Sequence, residues 1–402
     1  MSNTGLRDTR DYKNYIDGQW VASSSGKTFE NRNPADGDDL IGTFQESNAD
    51  DLNAAVDAAD RAFQAWRLTP APLRADYLYA VGNILKRDKE AIAREMTREM
   101  GKVLQETRGD VQEAIDMAFL MAGEGRRLHG VTTPSELPNK FNMAVRMPLG
   151  VAGLITPWNF PIAIPAWKGM AALICGNTVV IKPASQTPLS VVMLAEAFEE
   201  AGLPKGVWNV VTGGGKAVGE PMLKHPKVAV ISFTGSTDVG REISVACAPQ
   251  FKHVHLEMGG KNVILVMDDA DVDLAVDGAL WGAFGTAGQR CTAASRIVAH
   301  RKIYDAFVEK LSARAKALRV GNGLDPQIDM RPNISASQID TIAKYVKIGR
   351  DEGATVTAGG AALTAGGYSK GHFHQPTVFA DVTPGMRIAQ EIGRASCRER
   401  VY

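Results

Sequence analysis

The sequence predicts an α/β fold, a doubly wound parallel sheet followed by a second α/β stretch, on three observations. From residue 151 onward, short apolar runs at 151–155, 178–181, 207–211 and 228–232 alternate with helical segments near 162–174, 189–201, 216–224 and 237–246. These runs are continuously apolar instead of alternating with polar residues, as strands covered on both faces are. The same texture resumes at 263–267 and continues through helical patterns at 272–284, 304–319 and 334–352. Sheets of this class bind ligands beyond the carboxyl ends of their strands, so a nucleotide site is expected there.

The elements follow in chain order. Asp17 and Gly18, set between Tyr15-Ile16 and Gln19-Trp20, supply the positive φ angles of a type I′ hairpin turn. From about Asn48, the residues Leu52, Val56, Ala59, Phe63 and Trp66 recur at helical spacing and form one apolar stripe. Residues 73–100 and 103–128 read as two further helices, polar on one side and therefore expected to cover something more apolar. Residues 131–148 are polar and strand-like over 141–147, which suggests a projecting hairpin arm. Within the alternating region, Pro188 after Thr187 starts a helix, and Gly202 with Pro204 stops it.

Composition narrows the function classes. Forty-five basic and 45 acidic side chains leave no net charge. A nucleic-acid or membrane-surface protein would need a basic excess. At roughly 100–200 residues per domain, 402 residues suggest two or three domains. Four cysteines are too few for a disulfide framework, and the N-terminus shows no apolar signal segment, so a cytoplasmic location is expected. The most apolar stretch, 162–181, is interrupted by Pro165, Lys168, Gly176 and Asn177 and is not expected to span a membrane.

Candidate chemistry gathers at a few turns. No Gly-x-Gly-x-x-Gly is present: Gly213 and Gly215 are followed by Val218. Gly235 to Gly240 has the glycine spacing of a Walker loop but continues into Arg241. Simpler physics remains. The run 228–232 leads through Phe233-Thr234-Gly235-Ser236-Thr237 into a helix, where Gly235 permits close approach and the helix N-terminus favours a phosphate. The sequence at this turn is equally that of a capped strand-to-helix connection. Lys182 closes another strand, placed to bond hydroxyls or phosphates, although a solvated lysine at a strand end reads the same way. Cys291 lies in Gly288-Gln289-Arg290-Cys291-Thr292, where small neighbours leave room for a substrate and Arg290 favours the thiolate. Cys175 and Cys247, set among Ala, Ile and Val, read as buried and inert. Glu257 precedes Met258-Gly259-Gly260-Lys261 and is expected in a turn, as a general base or paired with Lys261. His253/His255 and His372/His374 lack further ligands nearby, so no metal is expected.

Taken together, these residues resemble the NAD(P)-dependent aldehyde dehydrogenase superfamily from the Tyr15–Trp20 hairpin to about Glu391. The carrying motifs are Thr156-Pro157-Trp158-Asn159-Phe160-Pro161, Ile181-Lys182-Pro183-Ala184, Phe233-Thr234-Gly235-Ser236-Thr237, Leu256-Glu257-Met258-Gly259-Gly260-Lys261 and Gly288-Gln289-Arg290-Cys291. The resemblance implies a cofactor domain over 1–130 and 148–256, an oligomerisation hairpin arm over 131–147, and a catalytic domain over 257–391. It implies Cys291 as the nucleophile on the aldehyde carbon, Asn159 as an oxyanion donor, and Glu257 as the base that releases the thioester. Trp158, Lys182, Ser185, Gly235, Ser236 and Glu391 would contact NAD or NADP.

Ser185 stands where many NAD-preferring relatives carry Glu, which implies that NADP is accepted. The block 285–296 and the helix 108–117 look most like enzymes acting on carboxylated semialdehydes, 2-oxoglutarate or succinate semialdehyde, with Arg290 a candidate clamp for the distal carboxylate. The family continues well past Glu391, whereas residues 393–402 match nothing expected. The catalytic domain is therefore expected to be incomplete, with 392–402 an anomalous tail. A CoA-acylating relative, or an inactive member of the same scaffold, stands as the alternative; retention of Glu257 and Cys291 argues against both. A full-length homodimer or homotetramer, with no nucleic acid or membrane as partner, completes the expectation.

Overall fold

The structure, a computed structural model, describes residues 5–391 and the backbone of a short strand at Glu399–Arg400. It divides into two compact units. The first comprises 1–31, 42–93 and 108–257, and the second 32–41, 94–107 and 258–402. Residues 32–41 and 94–107 thus pack with the second unit, where the sequence reading had placed all of 1–130 in the cofactor domain. The tail 393–402 lies outside the described residues except for Glu399–Arg400, which pairs in parallel with Val378–Phe379.

In the first unit a seven-stranded sheet carries, in spatial order, His253–Met258, Val228–Gly235, Val151–Ile155, Thr178–Lys182, Trp208–Val210, Asn14–Ile16 and Gln19–Val21. The strands from Val228–Gly235 to Trp208–Val210 are parallel neighbours, as their apolar runs predict. The N-terminal hairpin is added antiparallel, with Val210 opposite Tyr15. Its turn residues Asp17 (φ 52) and Gly18 (φ 72) have the positive angles that Asp-Gly supplies. Every residue of Thr178–Lys182 is buried, which is why this strand reads as one apolar run.

Helices cover the sheet. Ala49–Trp66 begins at Asn48, whose side chain accepts from Asp50 and Asp51 backbone N–H groups while the Asp51 carboxylate accepts from the Asn48 backbone, a reciprocal capping box. Leu52, Val56, Ala59 and Trp66 are buried on its inner stripe. Pro188–Glu200 starts with its proline at the first helical position and stops before Gly202 (φ 73). The pattern over 73–100 is two helices, Ala71–Arg87 and Lys89–Met100, broken at Asp88. Leu104–Glu124 follows. The strands Val131–Pro134 and Phe141–Ala144 form a hairpin exposed along both members.

In the second unit the parallel pair Asn262–Val266 and Ala294–Ala299 is backed by Val272–Phe284 and Tyr304–Ala317. Val266, Val276, Phe284, Ile297, Phe307 and Leu311 form the centre of its core. A second cluster joins Ala336–Asp351 to Val378–Ala380 through Ile342, Val346, Phe379 and Ile388. The early segments join this unit by specific polar contacts: the Gly37 backbone N–H donates to the Lys370 carbonyl at 2.8 Å and the Leu104 N–H to the Gly323 carbonyl at 3.1 Å. Arg98 ties the two segments together by gripping the Asp39 carboxylate with Nη2 at 2.6 Å and Nε at 3.0 Å. Among the described residues, no helix is long and apolar enough to cross a membrane.

Candidate active site

The parallel strands of the first unit end in register: Phe233 lies opposite Ile155, and Ile155 opposite Lys182. Trp158, Lys182, Ser185, Gly235 and Ser236 all lie at or just beyond those ends, so the topology brings five of the six cofactor candidates to one sheet edge. Glu391 belongs to the second unit.

Lys182 is the most constrained of them. It is 7% exposed, and its ammonium donates to the carbonyls of Pro183 (2.9 Å) and Gly213 (3.2 Å). Burial lowers its pKa to about 8, partly offset by the Glu46 carboxylate. Beside it the Thr156 backbone N–H donates to the Lys182 carbonyl at 3.2 Å, while the Thr156 hydroxyl is buried with no hydrogen bond. Ser185 is half-buried in the turn that follows. Ser236 caps the helix Thr237–Cys247, its Oγ accepting from the Val239 N–H at 3.4 Å, so the positive end of the helix dipole faces the turn. Gly235 has a different reason from the one the sequence suggests. A Cβ there would lie 2.3 Å from the Phe233 ring, so the glycine is required by the strand's own packing.

A buried ammonium held only by neutral carbonyls, an orphaned hydroxyl beside it, two serine hydroxyls and a helix N-terminus form a donor set that fits the sugar hydroxyls and phosphates of a dinucleotide.

Asn159 and Trp158 sit half-buried between the strand Val151–Ile155 and the helix Ala163–Ile174. Glu257 is not in a turn. It is the fifth residue of the strand His253–Met258, where His253, His255 and Glu257 alternate onto one exposed face. The Lys261 ammonium donates to the Glu391 carbonyl at 2.9 Å. The sequence reading missed Lys168, on the helix Ala163–Ile174. Its ammonium donates to Ser232 Oγ at 2.8 Å, and burial pushes its pKa down to about 8 against the opposing pull of Glu257. A lysine within an otherwise apolar helix was the available signal.

Cys291 is exposed, after a turn over 285–288 that follows the helix Val272–Phe284. Arg290 beside it packs back onto the preceding helix. Its Nη2 donates to the Trp281 carbonyl (2.8 Å) and the Gly282 carbonyl (3.2 Å), and its guanidinium lies 5.1 Å from the Trp281 ring centroid. The arginine therefore closes the C-terminal end of its own helix. Cys247 is buried as expected, but Cys175 is exposed at the end of the helix Ala163–Ile174. The Glu391 carboxylate accepts from Arg387 Nε (2.7 Å) and Tyr345 Oη (2.8 Å), which holds its pKa down at about 2. Both of its oxygens are thus already engaged. No group of three His, Cys, Asp or Glu side chains that could hold a metal occurs among the described residues.

Comparison with known proteins agrees with this architecture. The model of the aldehyde dehydrogenase family matches residues 20–392. An alpha-ketoglutaric semialdehyde dehydrogenase of Bacillus subtilis is 43% identical over 96% of this chain and 79% of its own length. A succinate-semialdehyde dehydrogenase [NADP(+)] of Escherichia coli is 40% identical over 94% of this chain and 77% of its own length. The crystal structure of a betaine aldehyde dehydrogenase from Staphylococcus aureus in complex with NAD+ superposes with a TM-score of 0.95 at 36% identity, covering 97% of this chain and 78% of that one. With its cofactor-type sheet edge, its exposed Cys291 and a family match over most of its length, this chain belongs to the aldehyde dehydrogenase family, oxidoreductases that convert aldehydes to acids with NAD or NADP.

Proposed function

We propose that this chain oxidises a short semialdehyde bearing a carboxylate at its far end, in the class of 2-oxoglutarate or succinate semialdehyde. The observation that carries this reading is the identity of 40% or more, over nearly the whole chain, to two semialdehyde dehydrogenases. Arg290 is the candidate for the clamp on the distal carboxylate, with its Nη2 already bonded to the Trp281 carbonyl.

In this reading the Cys291 thiolate adds to the aldehyde carbon and gives a hemithioacetal. The Asn159 side-chain amide and the Cys291 backbone N–H donate to the developing oxyanion. The dinucleotide, when bound, supplies the acceptor for the hydride that this carbon loses. Glu257 then takes a proton from water, which cleaves the thioester on Cys291 and frees the acid. Lys168, whose ammonium donates to Ser232 Oγ, lies within electrostatic reach of Glu257. Lys182 binds the adenosine ribose, Ser236 and the helix behind it bind phosphate, and Trp158 lines the same edge. Ser185, carrying no charge, leaves room for a 2′-phosphate, so NADP is accepted. Glu391, its carboxylate oriented by Arg387 and Tyr345, accepts from a hydroxyl of the cofactor.

The hairpin over 131–147 serves assembly of copies of this chain. Val131, Phe141 and Met143 are each more than 60% exposed, and a lone two-stranded ribbon is marginal in water. A cytoplasmic location fits the unpaired thiols Cys175, Cys247 and Cys291.

A panel of aldehydes read by NADPH absorbance tests the substrate class. Carboxylated semialdehydes should give kcat/KM about tenfold or more above apolar aldehydes of equal length, with no stimulation by CoA. If long apolar aldehydes outperform every semialdehyde, the reading is wrong.

A further inference from the structure

Cys291 stands three residues beyond a backbone path that L-residues rarely take. Thr286 (φ 56), Ala287 (φ 49) and Gly288 (φ 66) are consecutively left-handed, and the first two carry side chains and are buried. Such a run persists only where surrounding groups over-determine it.

Two polar side chains hold the segment that runs from this path to Cys291. At the start, Glu106 Oε1 accepts from the Thr286 backbone N–H at 2.6 Å. Three residues past the end of the path, the Cys291 carbonyl accepts from Asn262 Nδ2 at 2.7 Å and, beyond that, the Ala293 carbonyl accepts from it at 3.2 Å. Asn262 sits where the ladder between Asn262–Val266 and Ala294–Ala299 slips: Asn262 faces Ala294, but Val263 faces Arg296. Its amide therefore bonds carbonyls lying just before the regular ladder begins. Arg331 Nε adds a bond to the Thr286 carbonyl at 3.3 Å.

We propose that Glu106 and Asn262 are positioning residues, Glu106 anchoring the start of this left-handed turn and Asn262 the Cys291 carbonyl beyond it, that together restrict the direction of the Cys291 thiol. The proposal rests on Cys291 being the nucleophile. Fixing the Cys291 carbonyl restricts the swing of the adjoining Cα–Cβ bond, and anchoring the Thr286 N–H opposes relaxation of the turn toward an ordinary right-handed one. Neither residue carries out the chemistry itself. The two have no charge or motif in common; what they share is a backbone group on either side of one strained path.

The test compares Glu106→Ala, Glu106→Gln, Asn262→Ala and Asn262→Asp in the full chain. The readouts are the rate of Cys291 alkylation by iodoacetamide, followed by peptide mass spectrometry, steady-state kcat and KM, and dinucleotide Kd. The alanine variants should lose about 10–100-fold in alkylation rate and kcat together, with dinucleotide Kd within about twofold. Glu106→Gln keeps an oxygen acceptor and should recover most of the loss. Asn262→Asp is isosteric but sets a carboxylate against two carbonyls, so it should behave like Asn262→Ala even if the alanine variant folds poorly. Alkylation at the wild-type rate in Asn262→Asp, or Glu106→Gln no better than Glu106→Ala, would overturn the clamp. Alkylation needs no aldehyde, so variant losses measured against a wild type that oxidises nothing would support the clamp and sink the proposed reaction.

Discussion

At the Lys182 edge, parallel strands run in register into short turns, and the side chains that matter simply follow the last residue of a strand. At the Cys291 loop, regular structure stops at Phe284, three residues turn left-handed, and the anchoring groups come from residues 106 and 262. The first region draws its order from repetition and apolar burial. The second draws it from a few polar contacts between distant parts of the chain. One therefore tolerates change in its polar groups as far as folding is concerned, while the other places its reactive atom through them.

Substitutions can break or sharpen that contrast. The largest effect is expected at Cys291. Cys291→Ala should lower kcat by about 10³-fold or more while leaving the melting temperature unchanged, since the thiol is exposed and supports no core. A substantial residual rate, measured by NADPH formation, would remove the loop from the chemistry.

Lys182→Met comes next. Dinucleotide Kd should rise about 10–100-fold, the loss expected for charged hydrogen bonds. Stability should respond in the opposite sense with pH. The folded ammonium has its pKa lowered to about 8 from 10.5, so between those values the unfolded chain binds more protons. Wild-type stability then rises across that window, by an amount on the order of 3 kcal/mol, and the penalty is fully present below pH 8. Melting temperatures of wild type and Lys182→Met should converge in the wild type's favour from pH 8 to 10.5. A constant difference would mean that the buried ammonium is not strained by its site.

The smallest effect is expected at Ser185. A carboxylate there would repel a 2′-phosphate without disturbing the sheet, so Ser185→Glu should shift the NADP/NAD ratio of kcat/KM toward NAD by about tenfold. An unchanged ratio would place the 2′-position elsewhere.

The same contrast explains what the sequence could tell. Strand Val151–Ile155 and helix Val272–Phe284 have the bounds their apolar patterns suggest, and the Asp17-Gly18 turn has the expected angles, because each is decided locally. The Gln289-Arg290-Cys291 motif marks the thiol but not what positions it. Thr286 and Glu106 are 180 residues apart, and nothing in either neighbourhood names the other. The bonds of Arg290 to the Trp281 and Gly282 carbonyls were not legible, because the chain does not reveal which way a long side chain points. Glu257 was placed in a turn by the glycines after it, although the alternation His253, His255, Glu257 already had the period of a strand. Cys175 looked buried among apolar neighbours and is exposed because it terminates its helix.

The passage of residues 32–41 and 94–107 into the second unit has a consequence for biosynthesis. Glu106 leaves the ribosome long before Thr286, the group it anchors, and Met100, whose carbonyl bonds Arg331, is equally early. The early segment must wait, without its partners, until some 180 residues more have been translated. Closing such a loop costs entropy before any contact repays it, so the second unit is the slower to form during synthesis. It also cannot be excised as a contiguous piece. A fragment starting at Met258 lacks both Glu106 and the Asp39–Arg98 pair, and the nucleophile's turn would lose its first anchor.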